Sequence, residues 1–119
     1  MKVAVIGASN KPDRYSYQAV KLLQEKGHDV YPVHGRIKDI DGMNVYASIK
    51  DIPDPIDTIT LYVAADISTA LADEIIMKKP RRIIFNPGAE NAALEANVKA
   101  KGIIPVNACT LVMLRTGQF

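Results

Sequence analysis

The stretch "VAVIGASNKPDRYS", residues 3–16, decides the fold. It opens on four apolar residues, three of them β-branched, with no polar alternation, as a strand buried on both faces requires. Gly7 then marks a turn, and from Ser16 onward the apolar spacing becomes helical. Ala19, Val20, Leu22 and Leu23 share one face, while Lys21 and Glu25 point elsewhere. A strand, a glycine turn and a helix in that order begin a βαβ unit. Ser9 and Pro12 stand where a dinucleotide fingerprint would place further glycines. The loop is therefore longer, and an anion held there would meet side chains as well as backbone.

Working outward, Ser16 is expected to cap the first helix, and Gly27 to end it in a left-handed conformation. "DVYPV", 29–33, reads as a second strand, with Pro32 favouring an edge or a strand end. Residues 34–56 are less regular. They suggest a turn at Asp41-Gly42, a short extended piece around Val45 and a brief helical turn closed by Pro53 and Pro55. "TITLYVA", 58–64, is the clearest central strand. A helix is expected over 67–79, capped by Asp66 or Ser68 and stopped by Pro80. "RRIIFN" gives a strand and "PG" a turn. An alanine-rich helix follows over 90–101, with Glu95 and Lys99 at pairing distance. Gly102 ends that helix, "IIPVN" is the last strand, and the tail from Cys109 closes as a turn or short helix. Strands alternating with helices imply right-handed crossovers. The expected fold is α/β: one Rossmann-like domain, 1–119, with a doubly wound parallel sheet of about five strands plus a short edge strand, and helices on both faces.

Composition narrows the setting. The chain has 119 residues, 48% of them apolar, and a formal charge of +2. That balance points to neither nucleic acid nor a membrane surface. Cys109 is the single cysteine, so no internal disulfide is expected. No signal-peptide pattern and no apolar run near the ~20 residues of a membrane span stand in the sequence. The expectation is a soluble cytoplasmic domain.

In such sheets ligands bind beyond the carboxyl ends of the strands, where strand order reverses. This selects residues 7–15, 33–36 and 62–66, with "NPG" at 86–88 as a more distant contributor. Gly7 permits the tight turn. The amides after it, Ala8 onward, and the start of the helix offer N–H groups to an anion. Ser9 and Asn10 add neutral donors; Lys11 and Arg14 add charge. An NAD site carries an acid at the end of the second strand, but this chain has His34, Gly35 and Arg36, and no acid until Asp39. A basic residue suits a phosphorylated ribose, as in NADP or coenzyme A. Arg36 can hold a phosphate through its planar fork. His34 is a candidate for stacking on adenine or bonding a phosphate.

Residues 3–16, with "VYPVHGR" and "TLYVA", resemble the small stand-alone coenzyme A-binding proteins of bacteria and the coenzyme A-binding domain of the succinyl-CoA synthetase α subunit. The similarity spans nearly the whole chain, including "VYASIKDIPDPID". It implies that Ser9, Asn10 and Lys11 contact phosphates or pantetheine and that Arg36 meets phosphate. It also implies that Tyr62, Val63 and Ala64 line the adenine or pantetheine channel, bordered by Tyr15 and Ser16. The family often has Asn-Pro where this chain has His34-Gly35. The synthetase's catalytic histidine lies beyond this domain, so its phosphoryl chemistry does not carry over.

No catalytic constellation emerges. His28 and His34 sit at opposite ends of the second strand, and His28 is expected to be solvated. Two separated histidines and Cys109 do not make a metal site. Cys109 reads as a packing residue, and Asp54 and Asp57 as members of a turn. The expected function is binding of coenzyme A or an acyl-CoA. The rivals are an NADP-type nucleotide-dependent enzyme and a regulatory or interaction module that responds to its ligand.

Overall fold

The computed structural model describes residues 1–119. The chain begins with β1 (Lys2–Ile6), α1 (Tyr15–Glu25) and β2 (Asp29–Val33), followed by the two-residue strands β3 (Asp39–Ile40) and β4 (Met43–Asn44) and a single 3₁₀ turn, Ile49–Asp51. Next come β5 (Thr58–Leu61), α2 (Ala65–Ala70), α3 (Ala72–Met77) and β6 (Arg82–Phe85). The chain closes with α4 (Ala92–Ala100), β7 (Ile104–Asn107) and α5 (Thr110–Arg115).

Five strands form one sheet in the order β2-β1-β5-β6-β7, and every pairing is parallel. The chain moves from β1 to one side and then returns to β5 on the other. The carboxyl ends of β1 and β5 therefore flank the switch point at which α/β sheets open a crevice. This is the Rossmann-like α/β fold that the sequence implies. The extended piece after β4 reaches the β2 edge through a single parallel bridge, Tyr46 to Val33. The Asp41-Gly42 turn closes a separate hairpin of β3 and β4, both turn residues having positive φ, as a two-residue hairpin loop demands.

The residues of β1, β5 and β6 are almost all buried, the threonines of β5 included, because helices cover both faces. Ala4, Ile6, Ile59, Leu61, Ile83 and Phe85 pack on one side with Ile75, Leu94 and Val98. Val3 and Val5 pack on the other with Val20, Leu23 and Leu114. Each fully buried aliphatic side chain contributes about 1.5–3 kcal/mol relative to exposure. Several buried polar groups pair with one another: Thr60 and Thr110 share a 2.7 Å hydroxyl contact, and the buried Arg82 donates to Thr58 Oγ1 at 2.8 Å.

Several local expectations need correction. Arg14, with no side-chain bond, precedes α1, so Ser16 lies inside the first turn and is buried. Neither Asp66 nor Ser68 caps α2; Ala64 holds that place. Ser68 is instead buried and bonded by Asn91, which also caps α4 by accepting from Leu94 N–H. The helix expected over 67–79 is interrupted at Leu71. Glu95 forms no ion pair with Lys99, because its carboxylate accepts from Asn107 at 3.0 Å. His28 is half-buried rather than solvated, edge-on to Phe119 at 5.1 Å between ring centres, and burial lowers its pKa.

Candidate functional site

The loop after β1 is built against β2. The N–H groups of Gly7 and Ala8 both donate to Val33 O, at 3.0 and 3.3 Å. Both amides are consequently turned inward, so that of Ala8 does not face a ligand as the sequence suggests. Lys11 N–H donates to Ser9 Oγ at 3.1 Å, and Arg14 N–H to Lys11 O at 3.0 Å. What remains without a protein acceptor is the N–H of Ser9, of Asn10 and of Asp13, together with the first turn of α1. Gly7 itself has φ +87°. A Cβ there would stand 2.7 Å from Tyr62 O and 2.8 Å from Val63 Cγ1, so only glycine lets the β1 and β5 loops touch.

Beyond these loops lies a cavity of about 610 Å³. Of the site residues expected from sequence, Gly7, Ala8, Ser9, Lys11, Tyr15, Ser16, His34, Tyr62, Val63 and Ala64 line it. Arg14, Ile37 and Ile67 complete the wall. Asn10 and Arg36 stand outside the lining and are exposed. Arg14 was legible as charge in the loop. Ile37 and Ile67 carried no signal beyond being apolar beside strand ends. Asn86 of "NPG" does not approach the cavity: it is buried under the sheet end, donating to Thr60 Oγ1 at 2.6 Å and to Leu61 O at 2.8 Å.

The cavity is chemically two-sided. Lys11 and Arg14 supply positive charge next to the first turn of α1, whose partial charge has the same sign. Opposite them Tyr62, Val63, Ala64 and Ile67 supply an apolar wall. His34 Nδ1 accepts from the N–H of Arg36 at 3.0 Å and of Ile37 at 3.2 Å. The ring's proton therefore sits on Nε2, and the imidazole fixes the bend of its own loop. Asp39, the first carboxylate after β2, accepts from Gly42 N–H at 3.2 Å and so belongs to the hairpin turn. Asp54 accepts from the Tyr31 hydroxyl at 2.7 Å. Arg81 holds Asp57 at 3.0 Å and keeps its carboxyl below the usual range. Cys109 lies half-exposed before α5, apart from the cavity wall. No three histidine, cysteine or carboxylate side chains converge, and no helix is long and apolar enough to cross a membrane.

The Tyr62 hydroxyl is buried with no hydrogen-bond partner, and burial pushes its pKa up to about 12. A raised folded-state pKa means a contribution present below pH 10 and lost as pH climbs through the folded value. Tyr62→Phe is expected to remove an unsatisfied polar atom. It should leave stability unchanged or higher by up to about 1 kcal/mol and flatten the alkaline end of the stability profile. Urea titrations between pH 7 and 11 check this; a clear loss of stability at pH 7 would count against it.

An open parallel sheet with a basic, partly apolar cleft at its switch point defines a small Rossmann-like ligand-binding domain. Comparison with known proteins makes that class specific. The family model described as "CoA binding domain" matches residues 1–115, and the chain belongs to that family. The uncharacterized protein YneT of Bacillus subtilis (strain 168) is 28% identical over 101 residues, covering 85% of this chain and 75% of that protein. The α subunit of acetate–CoA ligase [ADP-forming] II from Pyrococcus furiosus is 42% identical over 62 residues, which is 51% of this chain but only 14% of the subunit. A crystal structure titled as an uncharacterized protein superposes with a TM-score of 0.93 at 36% identity, covering 99% of this chain and 97% of that one.

Proposed function

We propose that this chain binds coenzyme A or an acyl-CoA, using the cavity at the switch point. The observation that carries the reading is the cavity's division into a cationic and an apolar side. Coenzyme A joins a multiply phosphorylated adenosine to a long neutral arm, and a volume near 610 Å³ lies within the usual range for small-ligand sites. The pyrophosphate meets Lys11, Arg14, the free amide of Ser9 and the first turn of α1, with Asn10 outside the wall. Ser9 and Ser16 add hydroxyls. The neutral arm runs along Tyr62, Val63 and Ala64 and leaves past Tyr15 and Ile67. Family membership supports the same reading, as does the similarity to the acetate–CoA ligase α subunit of Pyrococcus furiosus. The absence of a free carboxylate after β2 favours a phosphorylated ribose over the plain diol of NAD.

Arg36 is assigned the ribose 3′-phosphate. It lies three residues beyond the end of β2 and is free in solvent, so it is available to swing onto an outer phosphate. Titration calorimetry with coenzyme A, dephospho-coenzyme A, NADP and NAD tests both levels. Coenzyme A is expected to bind tightest, with dephospho-coenzyme A about tenfold weaker, since a charge-assisted bond contributes roughly 1.5–3 kcal/mol before screening. Arg36→Ala should narrow that gap at the expense of coenzyme A alone. Equal affinity for the two forms removes the role of Arg36; tighter binding of NADP than of coenzyme A moves the chain to the nucleotide-dependent enzyme reading.

A further inference from the structure

Helix α2 carries part of the cavity wall yet has little apolar surface to fix it in place. It follows directly from Ala64, and Ile67 projects from its first turn; both residues line the cavity. With 6 residues, α2 is far below the roughly 12–15 at which an isolated helix becomes even marginal in water, so it depends on tertiary contacts. Its one buried side chain is a serine, Ser68, and Ile67 is 47% exposed. Val63 and Leu71, at either end, rest against the core. Between them, polar contact replaces packing. Asn91 Nδ2 lies 2.8 Å from Ser68 Oγ, 3.0 Å from Thr69 Oγ1 and 3.1 Å from Ala65 O. An amide has two hydrogens. They serve the two hydroxyls, while Ser68 Oγ donates in turn to Ala65 O at 3.2 Å. No other group from outside the segment hydrogen-bonds to α2. Asn91 is buried and held from behind, its Oδ1 accepting from Leu94 N–H at 3.0 Å.

We propose that Asn91 is a positioning residue for the ligand site: by gripping α2 it holds Ala64 and Ile67 at the spacing from the β1 loop that the neutral arm of coenzyme A requires. This assignment, which rests on the coenzyme A reading, adds a residue that never meets the ligand. Asn91 is absent from the cavity wall, so its effect reaches the ligand through α2. The two sides of the cavity differ in their dependence on it. Lys11, Arg14 and the first turn of α1 belong to the β1 side, and none of them bonds to α2. Freeing α2 therefore leaves the phosphate side as built and slackens the apolar wall. A wall that must be reordered on binding lowers affinity for whatever touches it, here the arm and not the phosphates. The break at Leu71 completes the arrangement. Because α2 and α3 are separate helices, α2 can shift without carrying α3 with it.

The test leaves Asn91 and its cap on α4 in place and removes the hydroxyls it grips, as Ser68→Ala combined with Thr69→Val in the whole chain. Titration calorimetry uses coenzyme A and 3′-phosphoadenosine 5′-phosphate, which lacks the arm. The double variant is expected to bind coenzyme A about tenfold more weakly and the shorter probe within about twofold of the unaltered chain. Ser68→Ala with Thr69→Ser keeps one hydroxyl and should recover most of the lost affinity. Hydrogen exchange supplies a second reading: the amides of α2 should exchange roughly tenfold faster in the double variant, with those of β1 and β5 unchanged. Circular dichroism melts establish folding; should the double variant fail to fold, Thr69→Val alone, at an exposed position, carries the same comparison. Coenzyme A affinity held within about twofold in the folded variant overturns the proposal. An equal loss for both probes overturns it as well, since the grip would then serve general stability. If the unaltered chain binds neither probe, the coenzyme A reading falls and this assignment with it.

Discussion

Gly7→Val is expected to abolish coenzyme A binding and to cost about 3 kcal/mol or more in stability, read as a melting temperature lowered by roughly 10 °C or more. Two penalties coincide there. The φ of +87° is one that β-branched residues resist, and the added Cβ would press on Tyr62 O at 2.7 Å and Val63 Cγ1 at 2.8 Å. Tyr62 O is backbone and cannot rotate away. Relief comes only by parting the β1 and β5 loops, the two walls of the cavity. Gly27→Val separates the two penalties, since Gly27 has nearly the same φ, +86°, with nothing within 4 Å of a built Cβ. That control should lose only the strain of the backbone, on the order of 1–3 kcal/mol, and should bind coenzyme A normally. Equal melting and equal binding for the two variants would show that the close approach at Gly7 carries no weight.

The same contrast marks what the sequence could and could not disclose. A strand buried on both faces can read as an unbroken apolar run, and "VAVI" announces itself as one, whereas "TITL" alternates threonine with apolar residues although all four are buried. Glycines at positive φ punctuate the helices, Gly27 after α1 and Gly102 after α4, and these were legible as stops. Hidden were features fixed by partners distant along the chain. The interruption at Leu71 sits where Asn91 grips α2 through Ala65 O, Ser68 Oγ and Thr69 Oγ1. Ile67, Leu71 and Ile75 follow helical spacing, so no local pattern reveals it. The anion loop was legible as glycine followed by donors and charge. Which amides stay free was not, because Val33 O takes those of Gly7 and Ala8. The Ser48–Glu74 contact was invisible for the same reason: the two residues lie 26 apart and meet only once α3 packs on the 3₁₀ turn.

Asn86 illustrates a polar residue near a strand end that serves the fold, and its removal should be nearly as damaging as that at Gly7. Asn86→Ala is expected to destabilise by about 3 kcal/mol. The side chain is 1% exposed and makes three bonds: Nδ2 donates to Thr60 Oγ1 and to Leu61 O, and Oδ1 accepts from Thr110 N–H at 2.8 Å. Truncation strands a carbonyl and an amide in the interior, each costing about 1–3 kcal/mol. The two ends it joins are informative. Leu61 is the last residue of β5, immediately before the cavity wall at Tyr62, and Thr110 opens α5. Loosening this tie should therefore weaken coenzyme A binding as well, through the position of Tyr62 and not through any contact with ligand. Asn86→Asp sharpens the argument. It keeps the acceptor for Thr110 but replaces the donor with a carboxylate facing Leu61 O. Burial raises the pKa of such a carboxyl, so that variant's stability should be higher at pH 4 than at pH 7 and decline as pH rises through the folded value. Urea denaturation of both variants at the two pH values decides it: an Asn86→Asp protein as stable at pH 7 as at pH 4 would mean that the side chain's donor bonds contribute nothing to holding β5 against α5.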